Sequence, residues 1–189
     1  MAAAAVADDK GLEGVELDAT SLEQARQKYE FFWKSASPYS QWYLAGSFEV
    51  DGQSYNCAEQ YMMHQKAVLF GDEQVAQKIL QSEDPKFQKK MGRKVTNFDE
   101  DAWNRECINI VRKGNKAKFG QNEKLKKTLI ATYPKTLVEA SPVDTIWGIG
   151  YTEDTRKAWN KSTWRGQNLL GHALTDVRND LMREEGLLT

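Results

Sequence analysis

The segment 56–71 constrains the fold more than any other, because its pattern is typical of a helix with charged side chains on an apolar face. We predict that this helix has Asn56 as its N-cap and is ended by Gly71. At 3.6 residues per turn, Glu59 and Lys66 lie on the same face. The apolar residues of that face are Met63, Ala67 and Phe70. The sequence therefore predicts an acid and an amine together on a buried stripe.

A charged group on a buried stripe is costly unless it is paired or loses its charge through a shifted pKa. A lysine whose pKa is lowered in this way is a nucleophile, and a neighbouring carboxyl group can transfer protons. Two structural interpretations stay open: Glu59 closes a capping box with Asn56, and Lys66 extends to solvent from the edge of the stripe. Spacing alone does not decide between these interpretations and a catalytic pair.

The length of 189 residues fits one domain, and we predict a disordered Ala-rich, acidic tail over 1–20 followed by a single domain over 21–189. No apolar run approaches the roughly 20 residues of a membrane span, and the start lacks the basic region of a secretory signal. Cys57 and Cys107 have neither the spacing nor the histidines of a zinc site. We expect an intracellular protein without membrane contact, in the cytoplasm or nucleus, that needs no metal and no cofactor.

Local patterns predict an α+β fold, a mainly helical single domain with a small β-sheet. A short helix is expected from Ser21 to Lys28, a strand over 31–33, and a hairpin around Asp51 and Gly52. The further predicted elements are helices near 72–81, 85–91, 100–118 and 121–132, a strand over 137–140 and a final helix over 168–185.

Charge is unevenly distributed, although the net charge is only −1. Residues 86–127 contain thirteen Lys or Arg against five Asp or Glu, whereas residues 1–30 contain seven acidic and three basic side chains. A basic stretch attracts phosphates or a nucleic-acid backbone, but it is equally typical of a solvated helical surface. Because the pI is near 6.2, we favour a local phosphate site over general nucleic-acid binding.

Ser40 and Trp42 lie in a polar loop beside aromatic residues, and they are candidates for hydroxyl binding and ring stacking. Arg93 is a candidate diphosphate contact. Asn168 and Gly171 border the start of the last helix, where unpaired N–H groups favour a phosphate. The structural interpretations are a plain loop anchored by its tryptophan, a solvated arginine, and Asn168 as an ordinary N-cap.

The segment 139–150 combines Glu139 and Asp144 with the run 147–150, whose sequence is Trp-Gly-Ile-Gly. The two carboxylates are candidate sugar or proton partners. Glycines after a tryptophan let backbone N–H groups approach a phosphate closely, although tight turns use glycine for local reasons as well.

Taken in order, these motifs resemble the NADAR family, which includes the YbiA-like N-glycosidases. The resemblance spans about residues 30–182. The matching pieces are 40–42, 58–61, 65–67, 91–93, 117–119, 125–129, 137–139, 144, 147–150, 168–171 and 178. The Ser-Gln-Trp of 40–42 departs from the Ser-Asn-Phe that the family often has there.

The resemblance implies a mainly helical α+β enzyme that cleaves the bond between a ribose anomeric carbon and nitrogen, and it favours removal of ADP-ribose from a modified guanine in nucleic acid. Together with the charge pair, it leads us to assign Lys66 as a nucleophile that forms a Schiff base with the opened sugar. Glu59 then transfers protons, and Asp144 holds ribose hydroxyls or activates water. The predicted substrate-binding residues are Ser40, Trp42, Arg93, Glu139, Trp147, Gly148, Gly150, Asn168 and Gly171.

Two other functions stay open: hydrolysis of early riboflavin-pathway intermediates, which carry a phosphoribosylamino group, and binding of ADP-ribose without hydrolysis. A binding module has no need for both Glu59 and Lys66 on one face. A non-covalent route is also open, in which Glu59 is the acid/base and Asp144 or Glu139 is the second carboxylate. The expected partner is ADP-ribosylated nucleic acid or ADP-ribose, and we expect a monomer.

Overall fold

The computed structural model describes residues 19–44 and 46–189, without the side chains of residues 19, 21 and 22. Within these ranges the chain forms seven α-helices and four short strands. They are α1 (Ala19–Lys28), β1 (Tyr29–Phe32), β2 (Phe48–Val50), β3 (Gln53–Tyr55), α2 (Ala58–Leu69), α3 (Glu73–Leu80), α4 (Pro85–Gly92), α5 (Glu100–Gly120), α6 (Glu123–Ile130), β4 (Thr136–Glu139) and α7 (Leu169–Glu184). Two 3-10 helices, Arg156–Trp159 and Lys161–Thr163, lie between β4 and α7. The mainly helical α+β fold is confirmed.

Residues 1–18 of the predicted tail over 1–20 lie outside the described residues. Helix α1 begins at Ala19, two residues before its expected start. The division of the chain into a tail and one domain therefore stays a prediction.

The strands form two separate two-stranded sheets instead of one small sheet. β2 and β3 are the predicted antiparallel hairpin, whereas β1 pairs in parallel with β4 from Tyr29 opposite Thr136 to Phe32 opposite Glu139. Since both parallel strands run in one direction, their carboxyl ends meet at the same edge. That edge carries Glu139, the last residue of β4.

Helix α2 packs against α3, α4 and α5. Its N-cap is Cys57 and not Asn56, because the Cys57 sulfur accepts the N–H of Gln60 while the Asn56 side chain donates to the Glu83 carbonyl. The N–H of Asn56 donates to the side chain of Gln60, so the predicted box between Asn56 and Glu59 is wrong. The Glu59 carboxyl is therefore available for other contacts.

Asn168 precedes α7 in a left-handed conformation with φ of 55°, and its side chain does not cap the helix. Instead, its Oδ1 accepts the N–H of Glu139 at 2.9 Å and its Nδ2 donates to the Leu137 carbonyl at 3.0 Å. A Cβ at Gly171 would lie 2.2 Å from that carbonyl, so only glycine lets α7 approach β4 so closely. These contacts fix the backbone that carries Glu139.

Three clusters of buried hydrophobic residues fill the interior of the described chain. The largest contains Phe32 and Leu137, and a smaller one on the other face of the β1–β4 sheet contains Val138 packed with Phe31 and Trp159. Among the described residues, no helix combines the length and the hydropathy that a bilayer crossing requires.

Candidate active site

Glu59 is the most deeply buried acid of this region, in the first turn of α2 with 4% of its surface exposed. Its Oε1 has no hydrogen-bond partner among the described residues. Burial raises the pKa of Glu59 to about 7, whereas Lys89, a hydrogen bond with Trp42 and the charge of Arg93 act in the opposite direction. A carboxyl group with this pKa can both give and take a proton near neutrality.

Two further carboxyl groups share the electrostatic field of Glu59. Burial, and then the charges of Asp144 and Glu59, raise the pKa of Glu139 to about 7. Asp144 also raises the pKa of Glu59, and its Oδ1 is fixed by the backbone N–H groups of Ile146 and Trp147 at 3.0 and 2.8 Å. Among the described residues, no group of three or more His, Cys, Asp or Glu side chains is arranged to hold a metal ion. The structure thus brings together three carboxylates that the sequence marked separately.

Two cations at the end of α4 face these acids. A Cβ at Gly92 would lie 2.0 Å from the Met63 sulfur, so α4 packs directly against the central turn of α2. This contact places Lys89 and Arg93 beside the acids, where the charge of Lys89 lowers the pKa of both Glu59 and Glu139. Its Nζ also lies 5.8 Å from the Trp42 ring centroid. Sequence patterns had marked Arg93 but not Lys89.

The basic stretch over 86–127 divides into two parts. In its second half, five cations form salt bridges: Arg112, Lys113, Lys116, Lys126 and Lys127. In its first half, six have no salt bridge with any described residue: Lys86, Lys89, Lys90, Arg93, Lys94 and Arg105. Five of these six cations, all but Arg105, therefore lie on or just after α4, next to Glu59 and Glu139.

Lys66 does not form the expected contact pair with Glu59. Its Nζ lies 4.1 Å from the ring centroid of Phe98 and 5.4 Å from that of Trp103, and it has no salt bridge with a described residue. Burial lowers the pKa of Lys66. Seven residues of helix separate the Cα atoms of Glu59 and Lys66 by about 10 Å along the axis. They are two distinct groups on one helix, the amine against aromatic rings and the acid among charges.

A buried lysine of α5, Lys118, holds the loop between β1 and β2, and this loop also bonds to the first turn of α2. The Nζ of Lys118 donates to the carbonyls of Pro38 and Ser40 at 2.7 and 2.8 Å. The neighbouring carbonyl of Gln41 accepts the N–H of Glu59 at 2.9 Å. Burial lowers the pKa of Lys118 to about 7, and a neutral amine still has the two N–H donors that the carbonyls need.

Further bonds position the aromatic residue of this loop. Asn115 donates to the Gln41 side chain at 2.9 Å, and the Ser40 hydroxyl accepts the N–H of Trp42 at 3.1 Å. Trp42 is thereby held within reach of Glu59. Ser40 shapes the turn, while Lys118 is a structural contributor that sequence patterns missed, although it lies in the matching piece 117–119.

We expect Lys118→Met to lower the free energy of unfolding by about 2 kcal/mol at neutral pH, because two buried carbonyls lose their donor. Between about pH 7 and 10.5 the unfolded wild-type chain holds a proton on Lys118 that the folded chain lacks, so its stability should rise with pH. Urea unfolding across this interval measures both effects. The exposed Lys124→Met is the control, and a variant that keeps the wild-type pH slope contradicts the assignment.

The glycine-rich segments have packing roles. A Cβ at Gly148 would lie 2.9 Å from the Glu139 carbonyl, and Gly150 has φ of +74°. Both glycines are buried, and diphosphate contact by their backbone stays a prediction. The side chain of Asn168, which is 0% exposed, bonds to β4 and Gly171 packs against it, and ligand contact by these two residues stays a prediction. Trp147 is half-buried against the main core, and stacking on a ligand stays a prediction.

Comparison with known proteins identifies the relatives of this chain. The family model described as "NADAR domain" matches residues 31–182. "N-glycosidase R617" of Acanthamoeba polyphaga mimivirus is 42% identical, over 75% of this chain and 86% of the relative. "Protein irg-1" of Caenorhabditis elegans is 33% identical, over 84% of this chain and 82% of the relative.

The NMR structure of the Escherichia coli protein YbiA superimposes with a TM-score of 0.68 and 28% identity, covering 84% of this chain and 88% of YbiA. The family match spans the elements from β1 to α7 and includes every side chain of the acid centre. On this evidence of sequence and fold, the chain belongs to the NADAR domain family.

Proposed function

We propose that this protein is an N-glycosidase that cleaves the ribose C1–N bond of ADP-ribosylated guanine in nucleic acid. The observation that carries the proposal is the pair of acids formed by the buried Glu59 and the half-buried Glu139, each with a pKa raised to about 7. An amine is a poor leaving group until it is protonated, so cleavage of a C1–N bond needs such an acid. The relatives named N-glycosidase support the same class of reaction.

The side chains of Glu59, Lys66 and Glu139 support hydrolysis of the C1–N bond through a ring-opened sugar. Glu59 protonates the ribose ring oxygen, and the ring opens to an iminium between C1 and the guanine amine. The neutral Nζ of Lys66 attacks C1 and gives up a proton to a carboxylate of the site. The guanine nitrogen then takes a proton from Glu139 and leaves, so that a protonated Schiff base joins C1 to Nζ. Water activated by a carboxylate adds to C1, and the C1–Nζ bond breaks. One water is consumed, and ADP-ribose and the restored base are released.

The charge distribution favours a phosphate-rich substrate. Lys89 and Arg93 lie beside the acids, and the basic side chains of the 86–94 segment have no salt bridges with described residues. Free ammonium and guanidinium groups at this place can hold the diphosphate of ADP-ribose and approach a nucleic-acid backbone. A phosphoribosylaminopyrimidine of the riboflavin pathway carries one phosphate and needs fewer cations.

A paired assay tests the proposal. The protein is incubated with an ADP-ribosylated guanine oligonucleotide and, separately, with the phosphoribosylaminopyrimidine, and the released sugar is measured. We expect release of ADP-ribose from the oligonucleotide. Release only from the pyrimidine assigns the enzyme to riboflavin intermediates instead, and release from neither substrate moves the assignment to a binding module.

A further inference from the structure

A pocket with a volume of about 360 Å³ lies at the amino ends of the parallel strands, within the size range of ligand pockets. Tyr29 and Thr136, which begin β1 and β4 and pair with each other, both line it. Glu139 ends β4 three residues later, so about 10 Å of strand separates the pocket from that acid. The aromatic and basic side chains of this amino-end pocket are Lys28, Tyr29, Lys161, Trp164 and His172.

The aromatic side chains of the amino-end pocket lie on the sheet face that the acids do not use. Tyr29 and Trp164 pack with Val138 in the hydrophobic cluster of one face, whereas Leu137 belongs to the cluster of the other face. Because side chains alternate along a strand, Glu139 shares the face of Leu137. A ligand in the pocket is therefore separated from Glu139 by the length of β4 and by the thickness of the sheet.

Three basic side chains reach the amino-end pocket from three parts of the chain. Lys28 ends α1, Lys161 begins the second 3-10 helix, and His172 lies in the first turn of α7. The charge of Lys161 lowers the pKa of His172, so the amine lies near the imidazole. No described carboxylate lines the pocket, and neither lysine has a salt bridge with a described residue. Positive charge of this kind in a concave place attracts an anion.

Two acids beside the lining are engaged with other cations. Glu30, the second residue of β1, forms a salt bridge with Lys135 at 3.1 Å. Asp176, whose charge raises the pKa of His172, forms one with Arg112 at 3.8 Å. These acids therefore leave the two pocket amines available for a ligand.

Two aromatic rings form the apolar wall of the amino-end pocket. The ring centroids of Tyr29 and Trp164 lie 5.5 Å apart, and both side chains are half-buried. Trp164 Nε1 donates to the Ala158 carbonyl at 2.7 Å, which fixes the orientation of its ring. Asn160 Oδ1 accepts the N–H of Ser162 at 3.1 Å and so holds the second 3-10 helix just before Trp164. The wall is thus formed by contacts within the protein before any ligand binds.

We propose that the amino-end pocket is a second ligand site, which binds a nucleotide through its phosphate and its planar base. Lys28 and Lys161 bind the phosphate, and His172 donates an N–H to it. The base packs on Trp164 and Tyr29, because every base has a π-face. The nucleotide is either a free mononucleotide or one unit of a nucleic-acid strand. This inference goes beyond the proposed N-glycosidase function, since the pocket takes no part in bond cleavage.

Equilibrium titration with cytidine monophosphate tests the site, because this nucleotide contains neither the guanine nor the ADP-ribose of the substrate proposed above. We expect Lys28→Met and Lys161→Met each to weaken its binding about 10-fold, since each exposed lysine loses a charge-assisted contact and keeps its aliphatic stem. Cytidine and inorganic phosphate, which each lack half of the ligand, should both bind at least about 10-fold more weakly than the nucleotide. The exposed Lys124→Met is the control.

Two further measurements locate the bound nucleotide. Lys89→Met removes a cation beside Glu59, so it should leave the affinity within about twofold of wild type. Lysine acetylation followed by peptide mass spectrometry should show that the nucleotide protects Lys28 and Lys161. A loss of affinity in Lys89→Met but not in Lys161→Met assigns the nucleotide to the acid centre and overturns the proposal.

A short single strand of cytidine nucleotides distinguishes the two sources. Strand binding that depends on Lys161 identifies a nucleic acid, whereas binding of the mononucleotide alone identifies a free nucleotide. Failure of wild type to bind either probe, or unchanged affinity in both Lys28→Met and Lys161→Met, overturns the site. These titrations need no turnover, so their failure leaves the proposed N-glycosidase reaction unaffected.

Discussion

Glu59→Gln should reduce turnover of the ADP-ribosylated oligonucleotide by about 10²–10⁴-fold, the usual contribution of general acid–base catalysis. The amide of the glutamine has the size and shape of the carboxyl group, but it cannot transfer a proton to the ring oxygen. Because Glu59 Oε1 has no hydrogen-bond partner among described residues, the change breaks no contact of that atom. Single-turnover kinetics with saturating enzyme measures the chemical step directly.

Stability measurements separate this loss from misfolding. The folded pKa of Glu59 is raised from 4.5 to about 7, so the unfolded chain releases a proton that the folded chain retains between these values. Wild-type stability therefore falls as pH rises through this window, and Glu59→Gln removes that contribution. The variant should be at least as stable as wild type at neutral pH while being inactive.

The wild-type rate should also fall as pH rises above about 7, when the coupled acids lose their protons. Glu49→Gln is the matched control, because Glu49 is an exposed carboxylate on β2. A Glu59→Gln enzyme that retains more than about a tenth of wild-type turnover excludes Glu59 as the acid.

Local patterns in the sequence were sufficient for most elements of the fold. The helix over Ala58–Leu69 and the hairpin around Asp51 follow from periodicity and turn chemistry, which act over a few residues. The cap of α2 was misassigned because Asn56 and Cys57 compete for adjacent positions. Which of the two residues caps the helix depends on a distant partner, the Glu83 carbonyl, which accepts a hydrogen bond from the Asn56 side chain.

The candidate site was only partly predictable, because its properties arise from long-range packing. Lys118 contacts Pro38 across 80 residues of sequence, and Lys89 meets Glu59 only because Gly92 lets two helices approach. The elevated pKa of Glu139 is a consequence of burial that no short motif records. Sequence identified several of the chemical groups, whereas the fold determined which of them act on one another.

Long-range packing matters most for Lys66, which follows Glu59 by about two helical turns along α2 and whose amine is packed on aromatic rings. A charged ammonium gains from the rings, while burial opposes the charge and lowers the pKa of Lys66. The amine is thus kept without a carboxylate that would hold it protonated. An opened ribose is a linear chain, and a helical lysine extends toward the N-terminus, so C1 can approach Nζ while the acid serves the ring oxygen.

Borohydride added during turnover should therefore trap an ADP-ribose adduct on Lys66, located by peptide mass spectrometry. Lys66→Met keeps the aliphatic stem against Phe98 and Trp103, so it should fold, form no adduct and lose at least about 10³-fold in turnover. The exposed Lys78→Met should behave as wild type. If wild type gives no adduct and Lys66→Met turns over almost normally, the reaction proceeds without a covalent intermediate, and Glu59 with Glu139 or Asp144 carries it as a two-carboxylate glycosidase.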